Sequence, residues 1–332
     1  MTKPARISYV FMAVLLVLIG WLHLATLVLT ALFGYFALRL FSFDRSKLLG
    51  VVLYVIAVTT ISVGLYHFSR QAYKTLPKIV ETTIPAVAEY AEKQGVELPF
   101  TDYASLKTLA MSEAKERVAN FGRYARTAIF EFAMLIVGLV VAVSLFLNAR
   151  WEVAGDPHAV KDSLYALVSE ELAVRVRTFY RSFATVIGAQ IFISTINTTL
   201  TAVFLFYNGF PYAPVIIALT FLCGLLPIIG NIMSNTLIVG VGFTLSPRMA
   251  LLALIFLVVI HKLEYFLNSK IIGDRIKNPM WMTLLALVLG EKLMGIPGMI
   301  LAPVVLHYIK VEASRNKVSD LSREPAEPGP AA

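Results

Sequence analysis

The chain has 332 residues, 58% of them hydrophobic and only 15% charged, with a formal net charge of +8. Soluble domains carry roughly 25% charged residues, and an apolar share this large cannot be hidden in a soluble core of this size, so much of it must face lipid. The apolar runs are long and continuous instead of alternating, which points to an all-α polytopic membrane protein and not a β-barrel.

The basic residues gather in short loops between apolar segments, as expected of loops on the inner side of a membrane, and do not mark a nucleic-acid surface. The single cysteine, Cys223, excludes an internal disulfide and lies in an apolar run, where packing is its ordinary use. No cleavable signal peptide is expected, because the first apolar run is too long and lacks a small-residue cleavage site.

Residues 1–68 form the first region. Lys3 and Arg6 precede an apolar run over residues 9–40, and Arg39, Arg45 and Lys47 follow it. As one helix that run would be about 48 Å long against about 30 Å of hydrocarbon. Both flanks are basic, which favours a hairpin turning between residues 20 and 30. Residues 48–68 are the next span, directed outward.

Residues 69–127 change in composition. They carry Glu81, Glu89, Glu92, Glu97, Asp102, Glu113 and Glu116, punctuated by Pro77, Pro85 and Pro99. This reads as an extramembrane insert of two or three amphipathic helices, turning near Gly95, with Thr101 or Asp102 able to cap the next helix. Residues 128–147 span back inward. Glu131 near the start of that span reads as an interfacial carboxylate, paired with Arg126 or favoured by the helix dipole.

Residues 148–181 read as a cytoplasmic amphipathic helix starting at Asp156-Pro157, a good N-cap followed by a proline that fits the first turn. Residues 182–311 are the membrane core, and 312–332 a polar, proline-containing tail expected to be disordered. The core opens with the most polar span. Gln190, Ser194, Asn197, Thr198 and Thr201 fall at i, i+4, i+7, i+8 and i+11, so they share one helical face. Such a stripe avoids lipid, either as interhelical hydrogen bonds or as the lining of a substrate path. Further on, His261 and Glu264 are three residues apart and share a face. They can relay a proton or hold a cation; alternatively they form an interfacial ion pair with Lys262 or Arg275.

Two apolar runs in this core are broken by proline and glycine. The first holds Gly224, Pro227, Gly230 and Asn231, with Asn235 one turn on. The second holds Gly290, Glu291, Lys292, Gly295, Pro297, Gly298 and Pro303. Proline removes a backbone donor, and glycine lets the chain leave helical geometry cheaply. Broken backbone survives at membrane depth only inside protein or along a wet cavity, and paired breaks point to a transporter's binding region. The arms around the second break are short for full spans, as a re-entrant hairpin would make them. About eight transmembrane or re-entrant segments are expected in all.

The motifs Pro227-Ile228-Ile229-Gly230 and Gly290-Glu291-Lys292-Leu293-Met294-Gly295-Ile296-Pro297-Gly298, together with Gly188-Ala189-Gln190 and Glu264 before a basic loop, resemble the autoinducer-2 exporter family. The chain departs from many members at Asn268-Ser269-Lys270, where they carry a proline, and at Asn231. The resemblance implies a bacterial-type inner-membrane transporter that forms a homo-oligomer; both termini are expected on the cytoplasmic side. Its members have been linked to export of a small polar signalling diol, and others to sodium(lithium)/proton antiport.

Three functional readings follow. In the first, a secondary exporter of a small polar metabolite binds it at Gln190, Ser194, Asn197, Thr201, Pro227, Gly230, Asn231, Asn235, Gly295, Pro297 and Gly298. In the second, a cation/proton antiporter uses His261, Glu264 and Glu291, with free carbonyls at the breaks as cation ligands. In the third, the chain is a non-transporting scaffold acting through residues 69–127. No nucleotide-binding loop of the Gly-x-x-x-x-Gly-Lys-Ser/Thr kind is present. No enzyme activity, cofactor, metal site or nucleic-acid partner is expected; the expected partners are the lipid bilayer and a small metabolite or monovalent cation.

Overall fold

The structure is a computed structural model and describes residues 2–43, 46–96, 121–148, 163–226, 229–272 and 279–315. The expected cap at Thr101 or Asp102, the Asp156-Pro157 helix start, Pro227, the loop at Asp274 and Arg275 and the tail beyond Arg315 lie outside these residues.

The described residues fold into α-helices: α1 (Lys3–Trp21), α2 (Ala25–Ser42), α3 (Lys47–Lys93), α4 (Phe121–Leu147), α5 (Leu164–Tyr207), α6 (Ala213–Gly224), α7 (Ile229–Leu245), α8 (Pro247–Ile272) and α9 (Met280–Arg315). Among the described residues six helices are long and apolar enough to cross a membrane, and α6 and α7 are shorter apolar helices. The protein is therefore an all-α polytopic membrane protein. The first apolar run is two helices, α1 and α2, separated at Leu22, His23 and Leu24. His23 adopts φ +54°, the left-handed conformation that ends α1.

Two helices are longer than any bilayer requires. The 47 residues of α3 run unbroken through Pro77 and Pro85, about 70 Å against a ~30 Å hydrocarbon core. The first part of the residue 69–127 region thus continues the preceding helix with no break at residue 68. It stops at Lys93, where Gly95 takes φ +70°. Likewise the 44 residues of α5 join the expected amphipathic helix and the polar span into one rod.

The chain forms two compact units. Unit one comprises residues 1–36, 138–187 and 274–332. In it α1 lies against α9, and Phe33 meets Phe183 edge-on at 5.0 Å while Tyr35 meets Tyr180 at 4.9 Å. A charged cluster ties α1, α5 and α9 together. Tyr9 donates to Glu312 (2.9 Å), the Arg175 guanidinium lies 3.9 Å above the Tyr9 ring, and Arg315 donates to Thr178 (3.0 Å). Arg175, Thr178 and Glu312 are all buried.

Unit two comprises residues 37–137 and 188–273. Its core is built by Ile79 of α3, Leu205 of α5, Phe210, Ala213 and Ile216 at and after the α5–α6 turn, Ile238 and Val241 of α7, and Ala253 and Leu257 of α8. Phe204 stacks on Phe256 at 4.2 Å. Helices α7 and α8 form a tight hairpin: a Cβ on Gly242 would lie 2.9 Å from the Ala250 Cα. The Ser246 hydroxyl accepts from the Met249 N–H at 3.1 Å and so caps α8.

Candidate functional site

The break between α6 and α7 positions the site in unit two. The last carbonyls of a helix have no intrahelical partner. Two at the end of α6 are met by side chains of α5: Gln190 Nε2 donates to the Gly224 carbonyl at 2.6 Å, and Ser194 Oγ donates to the Phe221 carbonyl at 3.0 Å. The first half of the polar α5 face is therefore engaged with broken backbone. Beyond the break α7 returns so close to α6 that a Cβ on Gly230 would collide with the Cys223 carbonyl oxygen. That close return sets Asn231 and Asn235, one turn apart, at the start of α7.

Both asparagines face α8. Asn231 Nδ2 lies 3.2 Å from each carboxylate oxygen of Glu264, and Asn197 Nδ2 of α5 donates to Glu264 Oε2 at 3.2 Å. His261 Nδ1 lies 3.4 Å from the same oxygen, and its Nε2 is 2.6 Å from Asn235 Nδ2. With the amide donating to Nε2, the proton of a neutral imidazole resides on Nδ1 and faces Glu264. The Glu264 side chain is 16% exposed. Residues 188–206 of α5 and all of α7 carry no acidic or basic side chain, so the two ionisable groups of the cluster, Glu264 and His261, both come from α8. Thr201 is fully buried on the same α5 face. The Asn197 Oδ1 and Thr198 Oγ1 atoms are buried and have no hydrogen-bond partner among the described residues.

A carboxylate held by amides from two other helices, next to an imidazole and at a helix break, is suited to taking up and releasing a small charged species. A profile of AI-2E family transporters matches residues 7–314, nearly the whole chain. The chain belongs to the AI-2E transporter family. It is 27% identical over 199 residues to the putative transport protein YdbI of Bacillus subtilis, covering 59% of this chain and 57% of that protein. It is also 26% identical over 229 residues to a sodium-lithium/proton antiporter of Halobacillus andaensis, covering 66% of this chain and 60% of that protein. The matched stretches thus span less than two thirds of either relative.

In this AI-2E family member the remaining candidate site residues, Glu291, Gly295, Pro297 and Gly298, belong to unit one. Helix α9 turns back on itself at Gly295, which has φ +64° and ψ −148°. Its two arms approach so closely that a Cβ on Gly290 would lie 2.5 Å from the Gly298 carbonyl oxygen. A hairpin is what the Gly-x-x-Gly and proline pattern predicts, and Pro297 sits just beyond its turn. Glu291 lies before the turn with its side chain 46% exposed, 3.8 Å from the amino group of Lys292.

Sequence reasoning missed the Tyr9–Arg175–Glu312 cluster of unit one. Its members are far apart in the chain, and each alone looks like an interfacial residue. The one usable signal was acidity: Glu312 is the first acidic residue after Glu291 in a strongly apolar stretch.

Proposed function

We propose that this protein is a secondary transporter that exchanges a monovalent cation for a proton at Glu264. The observation that carries the reading is the polar cage itself: one carboxylate, largely shielded, held by Asn197, Asn231 and His261 from three helices beside a broken hairpin. A shielded carboxylate is costly to keep unless it is hydrogen-bonded, and here three side chains from three helices hold it. A single carboxylate holds either a proton or a cation, so alternate occupancy couples the two flows without a further device. His261 supplies a second proton-carrying group whose Nδ1 faces the carboxylate.

The name of the Halobacillus relative supports the same reading. Basic flanks such as Lys3, Arg6, Arg39 and Lys47 support a bacterial-type inner membrane with both termini on the cytoplasmic side. Export of a small polar metabolite stands second, because Gln190 and Ser194, two of its expected ligands, already serve backbone carbonyls.

The test is Glu264→Gln in liposomes under an imposed pH gradient. The substitution keeps the shape and removes the exchangeable charge. Cation-driven proton movement is expected to vanish. Retention of that movement would show that exchange does not run through Glu264, and metabolite flux in a protein without any cation response would displace the reading in favour of metabolite export.

A further inference from the structure

Resting on the cation–proton reading of Glu264, we infer that Asn197 and Asn231 are the cation's side-chain ligands and that they switch between donating to Glu264 and coordinating the ion. In the structure both amides turn their nitrogens to the carboxylate. That arrangement suits an unoccupied carboxylate, because the amide hydrogens stabilise its negative charge. It leaves the Asn197 Oδ1 atom buried with no partner among the described residues, and a buried acceptor without a donor calls for an explanation. A cation supplies one. The terminal torsion of asparagine is broad and roughly two-fold, so a half-turn of each amide exchanges nitrogen for oxygen without moving the backbone.

After the half-turn each amide oxygen occupies the former nitrogen position, 3.2 Å from a Glu264 oxygen, so both amides then offer oxygens beside the carboxylate. One carboxylate neutralises one positive charge, and a divalent ion would leave net charge in a shielded site, which favours a monovalent ion. The carbonyls of Phe221 and Gly224 are not needed, since Ser194 and Gln190 already occupy them.

The two roles of Asn231 make opposite demands on its substitution. If the residue only donates to Glu264, aspartate is the worst replacement, because it sets two carboxylates against each other. If it coordinates a cation, aspartate retains the ligand oxygen and leucine does not. The experiment compares wild-type protein, Asn231→Asp, Asn231→Leu, Asn197→Asp and Asn197→Leu as purified full chains. It measures thermal stabilisation by sodium chloride relative to choline chloride, and the half-saturating sodium concentration for proton movement in liposomes. The inference expects both leucine variants to lose the sodium-specific stabilisation and raise half-saturation by about tenfold or more, while both aspartate variants keep a sodium response. Wild-type half-saturation in the leucine variants, or aspartate variants as impaired as leucine, would overturn it. Glu264→Gln runs alongside. If it alone loses the sodium response while the leucine variants keep it, the ligand assignment fails and the Glu264 reading stands. If Glu264→Gln keeps the response, both fail.

Discussion

Substituting Gly230 by alanine tests whether the α6–α7 hairpin is what builds the Glu264 cage. The added methyl group would collide with the Cys223 carbonyl oxygen and lie 3.1 Å from the Cys223 Cα. Carbon atoms in ordinary contact sit about 3.5–4.0 Å apart, and the obstacle is backbone, which cannot rotate away. The hairpin must therefore open by roughly half an ångström or more at its base, where overpacking of this kind costs about 1–3 kcal/mol. Asn231, the next residue, moves with it and loosens its hold on Glu264, now 3.2 Å to both oxygens. The expected result is a lower thermal midpoint in detergent together with weaker cation dependence of proton movement. A Gly230→Ala protein that melts and transports like wild type would refute the argument that this close return positions the site.

Other consequences follow from the same geometry. Gln190→Leu leaves the Gly224 carbonyl without its 2.6 Å donor; the unsatisfied acceptor is expected to cost about 1–3 kcal/mol, read as a fall in the thermal midpoint, whereas Ser194→Ala, which also removes a donor but opens space near Gly224, should cost less. In unit one, Tyr9→Phe removes the donor to the buried Glu312 carboxylate. Hydrogen bonds to charged groups contribute roughly 1.5–3 kcal/mol, so that variant should unfold at lower temperature while its cation half-saturation stays unchanged.

Much of this architecture is legible in the sequence because it follows from local chemistry. Gly224 with Pro227, and Gly295 with Pro297, announce breaks, since proline and glycine act on the backbone wherever they fall. The i, i+4, i+7 spacing of Gln190, Ser194 and Asn197 announces a shared face, and the structure divides its labour: the first two meet broken backbone and the third meets Glu264. Helix continuity is less legible. Pro77 and Pro85 look like boundaries, yet α3 passes through both, because a helix can absorb a missing donor when its neighbouring turns hold. Least legible are the partnerships. Asn197 and Glu264 lie 67 residues apart and Tyr9 and Glu312 lie 303 apart; such pairs are set by how helices pack, which no local pattern records. His261 and Glu264, adjacent on one face, left open whether the pair is a plain interfacial bridge. Asn235 and Asn231, arriving from α7, are what turn it into a cage.

The most direct measurement is proton movement in liposomes carrying the wild-type protein and Glu264→Gln in parallel, with a pH-sensitive dye inside and sodium, lithium, potassium or choline added outside. The account predicts proton movement driven by at least one of the monovalent metal cations, absent with choline and absent in the variant. A wild-type protein silent to every cation, or a variant that responds as the wild type does, would contradict it.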